Sequence, residues 1–139
     1  MGAHVEQLDH TADIGLRIEA DSAAEAFEAA AAATFDVLVD RERVEERETR
    51  ELSLRADGWE DLLVSWLEEL LYWYEGERFV LRSARVREIE PERLVAEVRG
   101  ERLDVERHEP GLQIKAVTYH QLRAEETSEG FLVQVIFDI

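Results

Sequence analysis

Between residues 59 and 75 the chain reads WEDLLVSWLEELLYWYE, and no other stretch limits its fold as strongly. At about 100° per residue, Trp59, Leu62, Leu63, Trp66, Leu67, Leu70 and Trp73 fall together on a helix, and Val64, Leu71 and Tyr74 widen the apolar arc to roughly 200°. An arc of that width exceeds what a helix lying on a surface needs. This helix is expected to sit in a core, with some apolar surface left over that a partner could use.

A second helix is announced by Ser22-Ala-Ala-Glu25, a capping box in which hydroxyl and carboxylate satisfy free amides, followed by an alanine-rich run to about residue 39 with Phe27, Ala31, Phe35 and Leu38 on one face. Strand-like stretches surround the two helices. Residues 5–8 and 14–19 read as a pair of strands, or as one strand broken by the polar cluster between them. Further strands are expected at Leu52–Ala56, Phe79–Glu88, Leu94–Arg99 turning at Gly100 into Arg102–Glu106, Lys115–Glu125 and Phe131–Ile139. The charged stretch RERVEERETRE (41–51) is expected to be a connection. With 139 residues, the chain is expected to form one domain spanning 1–139: an α+β fold, a mainly antiparallel β-sandwich with two amphipathic helices packed on one face.

Composition removes several functions. There is no cysteine, so disulfides, thiolate metal sites and cysteine nucleophiles are excluded. No GxSxG, P-loop or GxGxxG pattern occurs. The formal charge of −17 opposes binding to a phosphate backbone, so direct nucleic-acid binding is not expected, whereas a protein partner or a bound cation suits this surface. The apolar runs are too short to span a bilayer and the first residues, MGAHVEQ, lack the features of a signal peptide, so a cytoplasmic protein without membrane contact is expected. Asn is absent and Arg outnumbers Lys 15 to 1, a bias that thermophily and a GC-rich genome would each help explain.

Chemistry concentrates at the two ends of the chain. DHTADIG (9–15) packs Asp9, His10, Thr11 and Asp13 into five positions before a strand, and Asp138 is followed by Ile139 alone. If the first and last strands lie together, the carboxylates of Asp13 and Asp138 and the α-carboxylate of Ile139 meet. Such a group repels itself unless a cation neutralises it, and hard oxygen donors favour Ca²⁺, Mg²⁺ or Mn²⁺ over zinc. A solvated Asp138 and a capped turn at DHTAD account for the same residues without a metal, and residue chemistry alone leaves both readings open. Lys115 is the single lysine and opens IKAVTYH (114–120), where alternation would place Lys115, Val117 and Tyr119 on one face and Ala116, Thr118 and His120 on the other. His108, in HEPG, has no ligand partner in the sequence.

Five segments, DHTADIG, SAAEAFEAAAAATFDVL, VSWLEELLYWYE, IKAVTYH and the final VIFDI, resemble the archease family in order and spacing over almost the whole chain. Residues 41–51 and 79–107 carry no matching motif. The resemblance implies a non-catalytic accessory protein of the GTP-dependent RtcB-type RNA ligase, which promotes transfer of GMP to the ligase and its repeated turnover in tRNA splicing and RNA repair. It implies, as an alternative, a chaperone or specificity modulator of a tRNA cytosine-5 methyltransferase. The family's metal ligands fall on Asp13, Asp138 and Ile139, the last through a main-chain or terminal oxygen, with calcium the metal usually assigned and Mg²⁺ or Mn²⁺ as alternatives. The family's functional lysine falls on Lys115. Asp9, His10, Thr11 and His120 are expected to support this site by shaping and hydrogen-bonding the segments that present it.

Overall fold

The computed structural model describes residues 2–9 and 13–139, with Asp9 described by its backbone alone. The elements in chain order are β1 (Ala3–Asp9), β2 (Asp13–Ala20), α1 (Ala23–Leu38), a 3₁₀ turn (Arg41–Arg43), β3 (Glu48–Arg55), α2 (Trp59–Glu77), β4 (Phe79–Glu90), β5 (Arg93–Arg102), a short α3 (Val105–His108), β6 (Ala116–Thr127) and β7 (Gly130–Asp138).

Both long helices start and stop for local reasons. Ser22 Oγ accepts the Glu25 N–H at 3.2 Å, while the Glu25 carboxylate accepts the Gly2 N–H at 3.1 Å, so the capping pair also ties down the start of β1. α2 begins after Gly58, held at φ 135°, and ends at Arg78, which turns into the left-handed region at φ 56°. α1 buries Phe27, Ala30, Ala31, Phe35 and Leu38 on the expected face, its alanines allowing close approach. The Trp66 indole N–H donates to the Phe27 carbonyl at 2.9 Å and so pins α2 to α1 in the core.

The strands form two antiparallel sheets, one of four strands in the order β1-β2-β7-β6 and one of three in the order β3-β5-β4. α1 packs on β4 of the small sheet and on β2 and β7 of the large one, and α2 packs on β6 and on β3, β4 and β5. Each sheet therefore gives one face to the helices, and the helices touch both sheets. This is why α2 needs its wide apolar arc: Leu62, Leu63, Val64, Trp66, Leu67, Leu70, Leu71 and Trp73 are all buried. On the large sheet the helix side carries the partners Ile14–Phe137, Leu16–Val135 and Ile18–Val133, all buried.

Three expectations need correction. Gly100 does not turn the chain: β5 runs through it, and a Cβ there would lie 1.9 Å from the Val80 carbonyl oxygen, so the glycine admits a close backbone approach from β4. The residues after Arg102 form no strand, because Asp104 caps the short α3 by accepting the N–H groups of Glu106 and Arg107. The charged stretch 41–51 is only partly a connection, since Glu48–Glu51 already belong to β3. There Arg50 lies over the rings of Phe79 and Trp73, at 4.4 and 5.1 Å from their centroids, and pairs with Glu48 and Glu77.

Candidate functional site

Side-chain alternation along β2 and β7 sends the core residues toward the helices and leaves Asp13, Gly15 and Arg17, with Gln134, Ile136 and Asp138, on the opposite face of the large sheet. Asp13 and Asp138 are direct cross-strand partners in this antiparallel pair, 125 residues apart in sequence. The next strand continues the row, because Ala116 of β6 pairs with Asp138. Just before Ala116, the Lys115 N–H donates to the Asp138 carbonyl at 2.7 Å. Three of the expected residues, Asp13, Lys115 and Asp138, are thus gathered where the middle strands of the large sheet end, and Ile139 follows at once with its side chain partly buried against the core.

The surroundings of the two acids differ. Asp138 is exposed and so is Lys115. Asp13 is half-buried, and its Oδ1 is buried with no hydrogen-bond partner among the described residues. A carboxylate oxygen withdrawn from water and left unpaired is costly, and a second carboxylate directly opposite adds repulsion. A divalent cation would relieve both, so the donor set of Asp13, Asp138 and a main-chain or terminal oxygen of Ile139 fits a hard ion of the Ca²⁺, Mg²⁺ or Mn²⁺ type. Among the described residues, no group of three or more His, Asp or Glu side chains is placed to hold a metal. A full shell would therefore need main-chain, terminal or water oxygens. The expectations for His10, Thr11 and the Asp9 side chain lie outside the described residues.

His120 and its neighbours follow a different path from simple alternation. β6 pairs regularly with β7 through Thr118–Ile136 and resumes at Arg123–Gln134, so Tyr119, His120, Gln121 and Leu122 form a bulge. Gln121 takes φ 53°, in the left-handed region, and its carbonyl accepts the Gln134 side-chain N–H at 2.9 Å. Thr118 Oγ1 donates to the Ile136 carbonyl at 2.9 Å and anchors the start of the bulge. Tyr119 and His120 are both exposed, and Tyr119 shares a shallow hollow with Gly58 and Trp59 at the start of α2. The expected faces for Tyr119 and His120 therefore do not apply, because the pleat is broken after Thr118. Thr118 enters the sequence reading only by its face in IKAVTYH, and Gln121 does not enter it, because a left-handed glutamine leaves no compositional mark there.

Comparison with known proteins agrees with the fold. The Archease protein family (MTH1598/TM1083) matches residues 6–139. The chain is 43% identical to the archease of Pyrococcus abyssi over 138 residues, covering 96% of this chain and 97% of that one. It is 44% identical to the archease of Thermococcus gammatolerans over 138 residues, with the same coverage. Among solved structures, it resembles the solution structure of Methanobacterium thermoautotrophicum protein 1598, with a TM-score of 0.80 and 30% identity over 97% of this chain and 98% of that one. The crystal structure of an archease, possible chaperone, from Thermotoga maritima shares the fold, with a TM-score of 0.66 and 24% identity over 96% of each chain. On the family match over nearly its whole length and on relatives above 40% identity, this chain belongs to the archease family.

Proposed function

We propose that this protein is a non-catalytic, cytoplasmic accessory protein that holds a divalent cation at Asp13, Asp138 and Ile139 and promotes guanylylation and repeated turnover of an RtcB-type RNA ligase. The observation that carries the reading is the buried Oδ1 of Asp13, unpaired among the described residues, on a residue in direct cross-strand register with Asp138. Calcium is the ion that the family resemblance favours, and Mg²⁺ and Mn²⁺ suit the same oxygen donors. A cation bound there supplies positive charge that offsets phosphate charge where the ligase transfers GMP. The protein's own residues do the positioning. The β2–β7 pairing fixes Asp13 opposite Asp138, and the Lys115 N–H holds the Asp138 main chain. Lys115 is exposed where the main chain meets Asp138, and its ammonium offers a contact to the ligase or to phosphate oxygens. The strongly acidic surface favours a protein partner over direct RNA contact.

The test is GMP transfer to a cognate RtcB-type ligase at limiting Mn²⁺ and GTP, with wild-type protein and its Asp13→Ala and Asp138→Ala variants, each checked for folding by circular dichroism. Wild type is expected to stimulate transfer, and each variant to lose about tenfold or more of that stimulation, the loss of roughly 1.4 kcal/mol of effective interaction. Variants that stimulate as well as wild type would remove the acids from the mechanism. If no form stimulates an active ligase, the role of modulating a tRNA cytosine-5 methyltransferase takes its place.

A further inference from the structure

The two sheets have four edges among the described residues, and three are poor templates for another strand. β4 carries two register shifts and β6 carries the bulge at 119–122. β3 has charged Glu48, Arg50, Glu51 and Arg55 among its eight residues. β1 differs: it pairs with β2 through all seven residues without a shift, and its other side is a sheet edge. Val5 points to the helix side, in the row of Ile18 and Val133, yet is 41% exposed, because it lies at the open end of that row. The apolar stripe of the large sheet therefore runs out to the edge instead of ending beneath a polar rim.

We propose that the β1 edge pairs with β1 of a second copy of this chain, antiparallel about a two-fold axis through Val5. In that register Val5 meets Val5, His4 meets Glu6 twice, and Ala3 meets Gln7. The residue pattern selects it. A shift centred on Glu6 sets two like charges directly opposite, and a shift centred on His4 sets two imidazoles opposite and leaves Val5 against Ala3. Only the Val5-centred register continues the apolar row as Val133, Ile18, Val5 and the same three residues reversed, while both His4–Glu6 pairs fall on the opposite face. The contact is isologous, so it closes at two copies and joins two four-stranded sheets into one of eight strands. The charge of −17 on each copy opposes association, which is why the pairing is expected to be weak and best seen where salt screens long-range repulsion.

Sedimentation velocity of the full chain from about 5 µM to 1 mM in 0.5 M NaCl tests this independently of any metal or ligase. Wild type is expected to shift from the 16.0 kDa monomer toward a dimer across that range. Val5→Lys, at an exposed rim position, sets two ammonium groups against each other and is expected to raise the dissociation constant at least tenfold, with an unchanged circular dichroism spectrum. His4→Lys faces Glu19 within its own chain and Glu6 of the second copy, so it is expected to tighten the dimer by roughly threefold. Adding Glu6→Gln should cancel that gain. A wild-type monomer at every concentration would overturn the proposal and leave the edge to a strand from another protein or to none. So would a dimer indifferent to Val5→Lys, or one that His4→Lys does not tighten.

Discussion

Glu101 is a carboxylate that several chain segments share. Its Oε2 accepts the Glu45 N–H at 2.7 Å, Arg107 at 2.7 Å and His108 Nε2 at 2.9 Å, while Oε1 accepts a second Arg107 N–H at 2.9 Å. His108 is fully buried and its Nδ1 accepts the Asp104 N–H at 2.9 Å, so Nε2 carries the proton given to Glu101. Hydrogen bonds from Arg107 above all, and then from Glu45 and His108, outweigh burial and pull the Glu101 carboxyl down to about 2. Because the folded value lies below the unfolded one, its stabilisation is complete above the unfolded carboxyl range near pH ~4.3 and is lost as pH falls toward about 2. Glu101→Ala leaves the Glu45 N–H, His108 and Arg107 without their acceptor and is expected to cost about 2–3 kcal/mol in urea unfolding at pH 7. The difference from wild type should shrink as the pH is lowered from 5 toward 2.5. None of this network was legible, since His108 in HEPG shows no ligand partner in the sequence and the other members lie in segments without a motif. The candidate site was legible in part: Asp13 and Asp138 stood out because acids flank the ends of apolar strands, and β2–β7 register makes them partners. What the sequence hid was the bulge after Thr118, which depends on how β6 closes against β7 rather than on any residue that demands it.

The strand β5 places a glycine where the neighbouring backbone leaves no room. A Cβ at residue 100 would lie 1.9 Å from the Val80 carbonyl oxygen and 2.9 Å from its carbon, so Gly100→Ala must push β4 away from β5. Backbone cannot give way as a side-chain tip can, and a loss of about 3 kcal/mol or more is expected, lowering the melting temperature by roughly 10 °C. A smaller effect is expected at Ser22, where Ser22→Ala removes the acceptor for the Glu25 N–H and should cost about 1 kcal/mol in thermal or urea unfolding. These two elements mark what local pattern conveys. The capped α1 and the wide-faced α2 were both readable, because a 3.6-residue apolar period and a capping pair are properties of a single segment. Gly100 was misread as a turn because glycine serves turns and close approaches alike, and only the strand beside it decides which. The start of β3 was hidden for a related reason. Its Glu and Arg residues point mostly to solvent, and their strand conformation comes from pairing with β5, far along the chain.

Across the whole molecule, 33 acidic residues face 16 basic ones, and many of the basic residues are already committed to pairs such as Arg107–Glu101, Arg50–Glu77 and Arg99–Glu97. The excess negative charge makes the folded state pay for compactness, so any added salt should raise stability by screening, and NaCl and CaCl₂ of equal ionic strength should do so to a similar degree if that is all they do. A bound cation at the Asp13–Asp138 pair adds a second effect that screening cannot imitate. The site joins β2 to β7, residues 13 and 138, and the unfolded chain has no reason to bring those two acids together, so binding should favour the folded state alone. At a free ion concentration of about 100 times the dissociation constant this linkage is worth roughly 2.7 kcal/mol, or about 8–10 °C in melting temperature for a chain of this size. Melting wild type and Asp13→Asn in matched NaCl and CaCl₂ separates the two contributions. Asp13→Asn keeps the shape of the side chain and removes one charge, so it should respond to NaCl as wild type does and show little extra rise in CaCl₂. Wild type should show that extra rise, increasing with the logarithm of the calcium concentration once the site is near saturation. An equal calcium response in the two proteins would mean that the ion acts through the general acidity of the surface, and that the cross-strand acids are held together by the sheet alone.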